Sequence, residues 1–390
     1  MPIIKNNLYY ELTTETSTKP VSALKIQLDV LDNCAYHCTG CFVNKRNNHP
    51  SDSDLKELKI FIDSITKHDI LVDEILIGPT DFLSSSNTFE VLSNPNILEL
   101  INSNSPILAF ISTLQHKGEP ISKFSEFLIN NINLDTEIEI GIATTPKWLY
   151  DPIYISEIKS KLSEIDKLIP HDVTYTFILN IHEYNIDYED LHTHIVDTFD
   201  TTMDLIPSIA RSKIKSKMLE KLSYLNEVYN NLEDYSKINN IMVDHSHSGI
   251  NFKVINFRKG EWFISPFLYE NMTIYDDMFK VTGIEDIHNK MTEQYEYASG
   301  TDCESCQFIT SCASRSILML MKFLDTDKCV CPKENMIKHQ HHHKDAASRM
   351  YDWKDYSVDQ DREGYRKKFL VHDSNISDLQ SIKEIYYANS

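Results

Sequence analysis

Three cysteines lie close together in the run Cys34-Ala35-Tyr36-His37-Cys38-Thr39-Gly40-Cys41, directly after an apolar stretch over 24–31. The C-x3-C-x2-C spacing puts three thiols on one tight loop. Three thiolates can hold three irons of a 4Fe-4S cluster, which leaves the fourth iron without a protein ligand and open to a small molecule. Zinc is the other chemistry these residues allow, with His37 or His49 completing a set of three thiolates and one imidazole. Zinc sites more often pair short C-x2-C hooks from separate loops, so the spacing favours iron-sulfur. A disulfide fits least, because nothing at the N-terminus reads as a secretion signal and intracellular thiols stay reduced.

A second group follows far downstream. Cys303-Glu304-Ser305-Cys306 is followed after five residues by Cys312, and then by Cys329-Val330-Cys331-Pro332. Four thiolates without a histidine partner close either an all-cysteine zinc site or a fully ligated iron-sulfur cluster. The eight cysteines thus divide into three and five, which points to two metal centres. The histidine tract His339-Gln340-His341-His342-His343 is flanked by Lys338 and Lys344 and reads as a solvated segment.

The elements that must position these groups are legible as alternating strand and helix patterns. A chain of 390 residues predicts two domains and an appendage. Residues 1–22 are polar and read as an N-terminal arm. Strands are predicted over 23–31, 74–77, 107–112, 138–142, 173–179 and 203–209. Between them lie amphipathic helices: one after Pro50 with Ser51 or Ser53 as N-cap, one carrying Phe89, Leu92, Leu98 and Ile101, and one carrying Ile121, Phe124, Phe127 and Leu128. Further helices carry Ile155, Ile158, Leu162, Ile165 and Ile169, then span 188–199 and 213–232. Six β/α units form a parallel sheet, and two alternating stretches, 250–256 and 258–264, form a hairpin around Lys259-Gly260. In such sheets ligand groups gather at the carboxyl ends of the strands, which places the cysteine loop, Gly78 to Asp81, Ser112, Thr144, Asn180 and Arg211 on one rim.

Composition narrows the function. A net charge of -20 argues against nucleic acid, which demands a basic surface. No apolar run reaches the ~18 to 20 residues needed to cross a bilayer, so no membrane partner is expected. The nine glycines form neither a dinucleotide fingerprint nor a phosphate loop.

The cysteine trio after a first strand resembles the signature of radical S-adenosylmethionine (radical SAM) enzymes. The downstream hairpin and C-x2-C-x5-C group resemble that family's SPASM extension. The resemblance implies a partial (β/α)6 TIM-like barrel over 23–235, a small α+β iron-sulfur domain over 236–335, and a tail over 336–390. It implies that Cys34, Cys38 and Cys41 hold a SAM-binding 4Fe-4S cluster and that Cys303, Cys306, Cys312 and Cys331 hold an auxiliary one, with Cys329 the alternative fourth ligand. SAM would be cleaved by one electron to a 5'-deoxyadenosyl radical that abstracts a hydrogen from substrate. The SAM pocket implied comprises Gly78, Asp81, Phe42, Thr144 and Asn180.

The chain departs from the family pattern in places. Gly78-Pro79-Thr80-Asp81 stands where Gly-Gly-Glu is usual, with Asp81 shifted by one as the acceptor for the SAM amino group. Gly40 replaces a frequent aromatic residue, for which Phe42 or Tyr36 compensates, and Gly141-Ile142-Ala143-Thr144 replaces a Ser-Leu-Asp-Gly run. What the resemblance implies is a cytoplasmic oxidoreductase that matures a ribosomally made precursor peptide by crosslinking, epimerisation or side-chain oxidation, served by a low-potential electron donor. A dehydrogenase or epimerase acting on a small molecule such as an aminocyclitol is the second reading. A non-catalytic iron-sulfur or zinc scaffold that has lost SAM is the third.

Overall fold

The structure, a computed structural model, describes residues 23–32, 50–68, 70–85, 87–104, 106–116, 120–181, 187–207, 252–264, 276–287, 289–290, 322 and 325. Strand β1 (Ala23–Leu28) is followed by α1 (Asp52–Lys67), β2 (Leu71–Ile77), α2 (Thr88–Leu92), α3 (Pro95–Asn104) and β3 (Ile107–Ser112). Next come α4 (Pro120–Asn131), β4 (Ile138–Thr144), α5 (Pro146–Leu149), α6 (Pro152–Leu168), β5 (Val173–Ile181), α7 (Tyr188–Phe199) and β6 (Thr202–Pro207). The strands β7 (Phe252–Arg258), β8 (Glu261–Ile264) and β9 (Lys280–Val281) complete a mixed α/β fold. Among the described residues no helix is long and apolar enough to cross a membrane.

The nine strands among the described residues join one sheet in the order β6-β5-β4-β3-β2-β1-β7-β8-β9. The first six are parallel and strictly sequential. Crossovers between neighbouring parallel strands are right-handed, so an order that advances without reversing sends every connecting helix to the same face. The main core bears this out. It joins Leu24, Ile26 and Leu28 of β1, Leu108 and Phe110 of β3, and Ile138, Ile140 and Ile142 of β4 to helix residues such as Leu58, Ile101, Phe124, Ile158 and Leu191. The opposite face carries a separate small cluster of Leu76, Ala109 and Ile111, flanked by Ala143 and Ile178. Strands buried on both faces read as unbroken apolar runs, as Ile107 to Ile111 do.

Local chemistry sets the element ends. Ser51 caps α1: its hydroxyl accepts the Asp54 N–H at 3.3 Å while the Asp54 carboxylate accepts the Ser51 N–H at 2.8 Å. Such a reciprocal cap is worth about 1 kcal/mol. The single helix predicted across Phe89 to Ile101 is two helices, because the chain breaks at Ser93-Asn94 before Pro95. The first strand stops at Leu28 rather than running to residue 31, although Val30 and Leu31 stay buried.

The hairpin between β7 and β8 forms as expected, with Lys259 at φ 50° and Gly260 at φ 74°. Two positive φ values in succession suit the twist of a tight hairpin. Its placement was not foreseen. Strand β7 lies parallel to β1 and pairs with it from Ala23↔Phe252 to Leu28↔Phe257, so strands on both sides of residue 235 share one sheet. Trp262 of β8 stacks on Phe61 of α1 with ring centroids 3.9 Å apart, locking the hairpin to the first helix.

Candidate functional site at the carboxyl ends of the strands

The segment that leads from β1 toward Cys34 is tied down by one side chain. Asn87 sits at the N-cap position of α2 but makes no side-chain bond to that helix. Its amide reaches back to the exit of β1 instead. Asn87 Oδ1 accepts the backbone N–H of Asp32 at 2.9 Å and the Ser85 hydroxyl at 2.7 Å, and Nδ2 donates to the Val30 carbonyl at 3.2 Å. The ends of β1 and β2 are also joined directly, because Gly78 N–H donates to the Leu28 carbonyl at 3.2 Å.

Asp81, in the loop that ends β2, is the hub of the rim. Its carboxylate accepts the Thr113 N–H at 2.6 Å and the Thr113 hydroxyl at 2.9 Å on one oxygen, and the N–H groups of Leu83 at 3.1 Å and Ser84 at 3.2 Å on the other. The Ser112 hydroxyl lies 3.1 and 3.2 Å from the two oxygens. Burial pushes the Asp81 carboxyl above the usual carboxylate range, and these donors pull against that shift. The carboxylate therefore fastens the loop after β2 to the loop after β3. A ligand contact from Asp81 would have to displace one of these donors. Leu114, next in the same turn, is held at φ 53°, a left-handed conformation that a leucine adopts only under surrounding constraint.

Thr144, at the end of β4, is buried and accepts the Tyr154 hydroxyl from α6 at 2.8 Å. Burial pushes the Tyr154 phenol up to about 12, so it stays a donor across the neutral range. The Thr80 hydroxyl, in the same loop as Asp81, is fully buried and has no hydrogen-bond partner among the described residues. Asn180 lies on β5 opposite Ile206 of β6. A Cβ at Gly141 would come within 2.3 Å of Ile178 Cδ1, so a larger residue there would have to push the Ile178 side chain aside.

The structure thus brings Gly78, Asp81 and Ser112 together on adjoining strand ends and places Thr144 on β4, the next strand beyond β3. Cys34, Cys38, Cys41, Phe42, Tyr36, Gly40, His37, His49 and Arg211 lie outside the described residues, as do Cys303, Cys306, Cys312, Cys329, Cys331, the arm over 1–22, the helix expected over 213–232 and the histidine tract. Sequence reasoning missed Asn87 and Thr113. An asparagine before a short helix reads as a cap, and nothing in its spacing reveals that its amide turns back toward residues 30–32.

No protein-family model matches the chain, and comparison with curated proteins gives no match. Among solved structures the chain is similar to Streptococcus suis SuiB bound to its precursor peptide SuiA, at 10% identity over 84% of this chain and 79% of that one, with a TM-score of 0.43. SuiB bound to S-adenosylmethionine gives 12% identity over 84% and 81%, with a TM-score of 0.42. Native anSMEcpe with bound AdoMet and Kp18Cys peptide gives 13% identity over 75% and 88%, with a TM-score of 0.43. Likeness at this level carries no conclusion about chemistry.

Proposed function

We propose that the chain is a radical SAM enzyme that modifies a ribosomally made peptide. The observation that carries this reading is the position of the C-x3-C-x2-C motif: it begins six residues after the last residue of β1, the first strand of a sequential parallel sheet. The loops after strands β1, β2 and β3 are cross-tied there by Asn87 and Asp81. The donor set of Cys34, Cys38 and Cys41 suits a 4Fe-4S cluster with one open iron. Such a cluster with SAM supplies one-electron cleavage and hydrogen-atom abstraction.

The protein's own contribution is positional. Asn87 holds the backbone entering the cysteine loop, Asp81 fixes the loop end of β2 beside it, and the Thr80 hydroxyl, without a partner among the described residues, offers a polar atom in that same loop. Cys303, Cys306, Cys312 and Cys331, with Cys329 as the alternative, would hold a closed auxiliary cluster. A peptide is preferred to an aminocyclitol-like substrate because enzymes of the resembled build mostly act on peptides.

The reading is tested with anaerobically purified protein. Iron in place of zinc, SAM binding and formation of 5'-deoxyadenosine under reducing conditions support it. Zinc in the cysteine sites, or iron without any SAM binding, overturns it.

A further inference from the structure

The stretch over 33–49, which carries Cys34, Cys38 and Cys41, is entered from β1 and left into α1. Because β7 runs parallel to β1, its last residue, Arg258, comes out at the same rim of the sheet as that stretch. The hairpin turn that follows Arg258 lies beside both ends of it.

At the entry, the Asp29 N–H donates to the Phe257 carbonyl at 3.0 Å, and Arg258 Nε lies 3.8 Å from Asp29 Oδ2. The Asp29 side chain is 0% exposed and that of Arg258 22%. A carboxylate taken out of water is costly unless a cation faces it, and removing the cation leaves an uncompensated buried charge. This pair therefore differs in kind from the more exposed bridge of Lys59 to Asp63, which contributes little.

At the exit, Gly260 packs against the first turn of α1. A Cβ at that position would come within 2.8 Å of Asp54 Oδ1 and 3.4 Å of Asp54 Cα. Asp54 is the residue whose carboxylate closes the cap on Ser51. Two positions on, Trp262 stacks on Phe61 of α1 and lies 4.8 Å, centroid to centroid, from Phe257. The turn thus joins the entry and the exit through one short rigid piece of chain.

We infer that Arg258 is a positioning residue for the metal centre of Cys34, Cys38 and Cys41: residues 257–262 act as a gauge that fixes the span between the two ends of the cysteine-bearing stretch, and the Arg258 charge seats that gauge on Asp29. Thiolates that share one centre must be held to within about 0.5 Å, and fixing both ends of a loop removes much of the freedom that would otherwise move them. This rests on the radical SAM reading above and adds that the hairpin beyond residue 250 sets the geometry of a centre more than 200 residues earlier in the chain.

The test uses the full chain, reconstituted without oxygen. The readout is the electron paramagnetic resonance signal of the reduced protein that shifts when SAM is added, because only a cluster with an open iron responds to SAM. Arg258→Met should shift the midpoint potential of that signal and speed loss of that cluster to an iron chelator at least about tenfold, since the uncompensated carboxylate destabilises the closed arrangement. Arg258→Lys keeps the charge and should restore most of both. Gly260→Ala disturbs the other anchor and should move the same signal, and it serves alone if Arg258→Met does not fold. Ile165→Ala, in the buried face of α6, should lower the melting temperature and move neither readout.

An unchanged potential and release rate in Arg258→Met or in Gly260→Ala overturn the inference. So do equal changes in Ile165→Ala, which would make the effect one of general stability, and a failure of Arg258→Lys to restore the signal. The two levels separate in the unaltered protein. Zinc in place of iron, or no signal that responds to SAM, overturns the enzyme reading, whereas a SAM-responsive signal indifferent to Arg258 and Gly260 overturns only this inference.

Discussion

The side-chain oxygen of Asn87 accepts the backbone N–H of Asp32 at 2.9 Å, across 55 residues of sequence. Through that bond the loop after β2 fixes the backbone that runs into Cys34. Replacing Asn87 with alanine takes this partner from the part-buried Asp32 N–H and the buried Val30 carbonyl, at a cost of about 1 to 3 kcal/mol. Urea denaturation should show that loss, and iron incorporation should fall with it. Asn87→Asp keeps the acceptor for the Asp32 N–H but turns a carboxylate oxygen toward the Val30 carbonyl, so it should recover only part of the loss.

Asp81→Asn should destabilise the protein by about 2 to 4 kcal/mol, because the amide nitrogen must face the donors on one of the two oxygens, either Thr113 or Leu83 and Ser84, and charge-assisted bonds are forfeited. Denaturation and SAM titration on the same sample distinguish the two roles open to this carboxylate. Weaker SAM binding with unchanged stability would mean that it serves the ligand and not the loops.

The iron content follows from the two cysteine groups. Reconstituted protein should carry about eight irons per chain, four for each 4Fe-4S centre. Alanine at Cys34, Cys38 and Cys41 together should remove about half of it and all deoxyadenosine formation. Cys331→Ala should lose the second cluster, whereas Cys329→Ala should keep it; the reverse outcome moves the fourth ligand to Cys329.

His116, in the loop after β3, has both ring nitrogens buried and without a partner among the described residues. Burial, aided by the nearby Lys161 ammonium, pulls it down from 6.5 to about 4. Between those values the unfolded chain takes up a proton that the folded chain refuses. The stability present above pH 6.5 is therefore lost as the pH falls toward 4. An imidazole carbon-proton titration with its midpoint near 4 would confirm the shift, and His116→Gln should flatten stability across that window.

Gly260→Ala should cost about 1 to 2 kcal/mol through its left-handed backbone alone. The added methyl would also come within 2.8 Å of Asp54 Oδ1, the carboxylate that caps α1. Thermal melting compared with Lys259→Gly, which relieves a left-handed residue in the same turn, checks the sign.

Much of the parallel sheet was legible because its strands are apolar runs with sharp ends. Residues 107–112 and 188–199 were bounded as the structure has them. The second strand begins at Leu71, three residues before the Glu74 at which the pattern predicts it. The register shifts there, Leu24 opposing Val72 and Lys25 opposing Glu74, so Asp73 is an extra residue that breaks the alternation. The pattern extends the first strand to residue 31 because residues 29–31 keep their burial beyond the end of β1, and sequence reports burial more plainly than pairing. Least legible were the long-range relations: a strand at residue 252 beside one at residue 23, and an aspartate satisfied by donors 32 residues on. Hydrophobic pattern names the faces of an element but not its neighbours.

The pairing of β7 with β1 has a consequence for how the chain can be divided. Strand β1 has a neighbour on each side, so a fragment ending near residue 235 would bare a row of unpaired N–H and C=O groups on the strand that leads to Cys34. Exposed edges of that kind recruit other chains. The N-terminal part expressed alone should self-associate, and the C-terminal hairpin supplied in trans should suppress that by restoring the missing border.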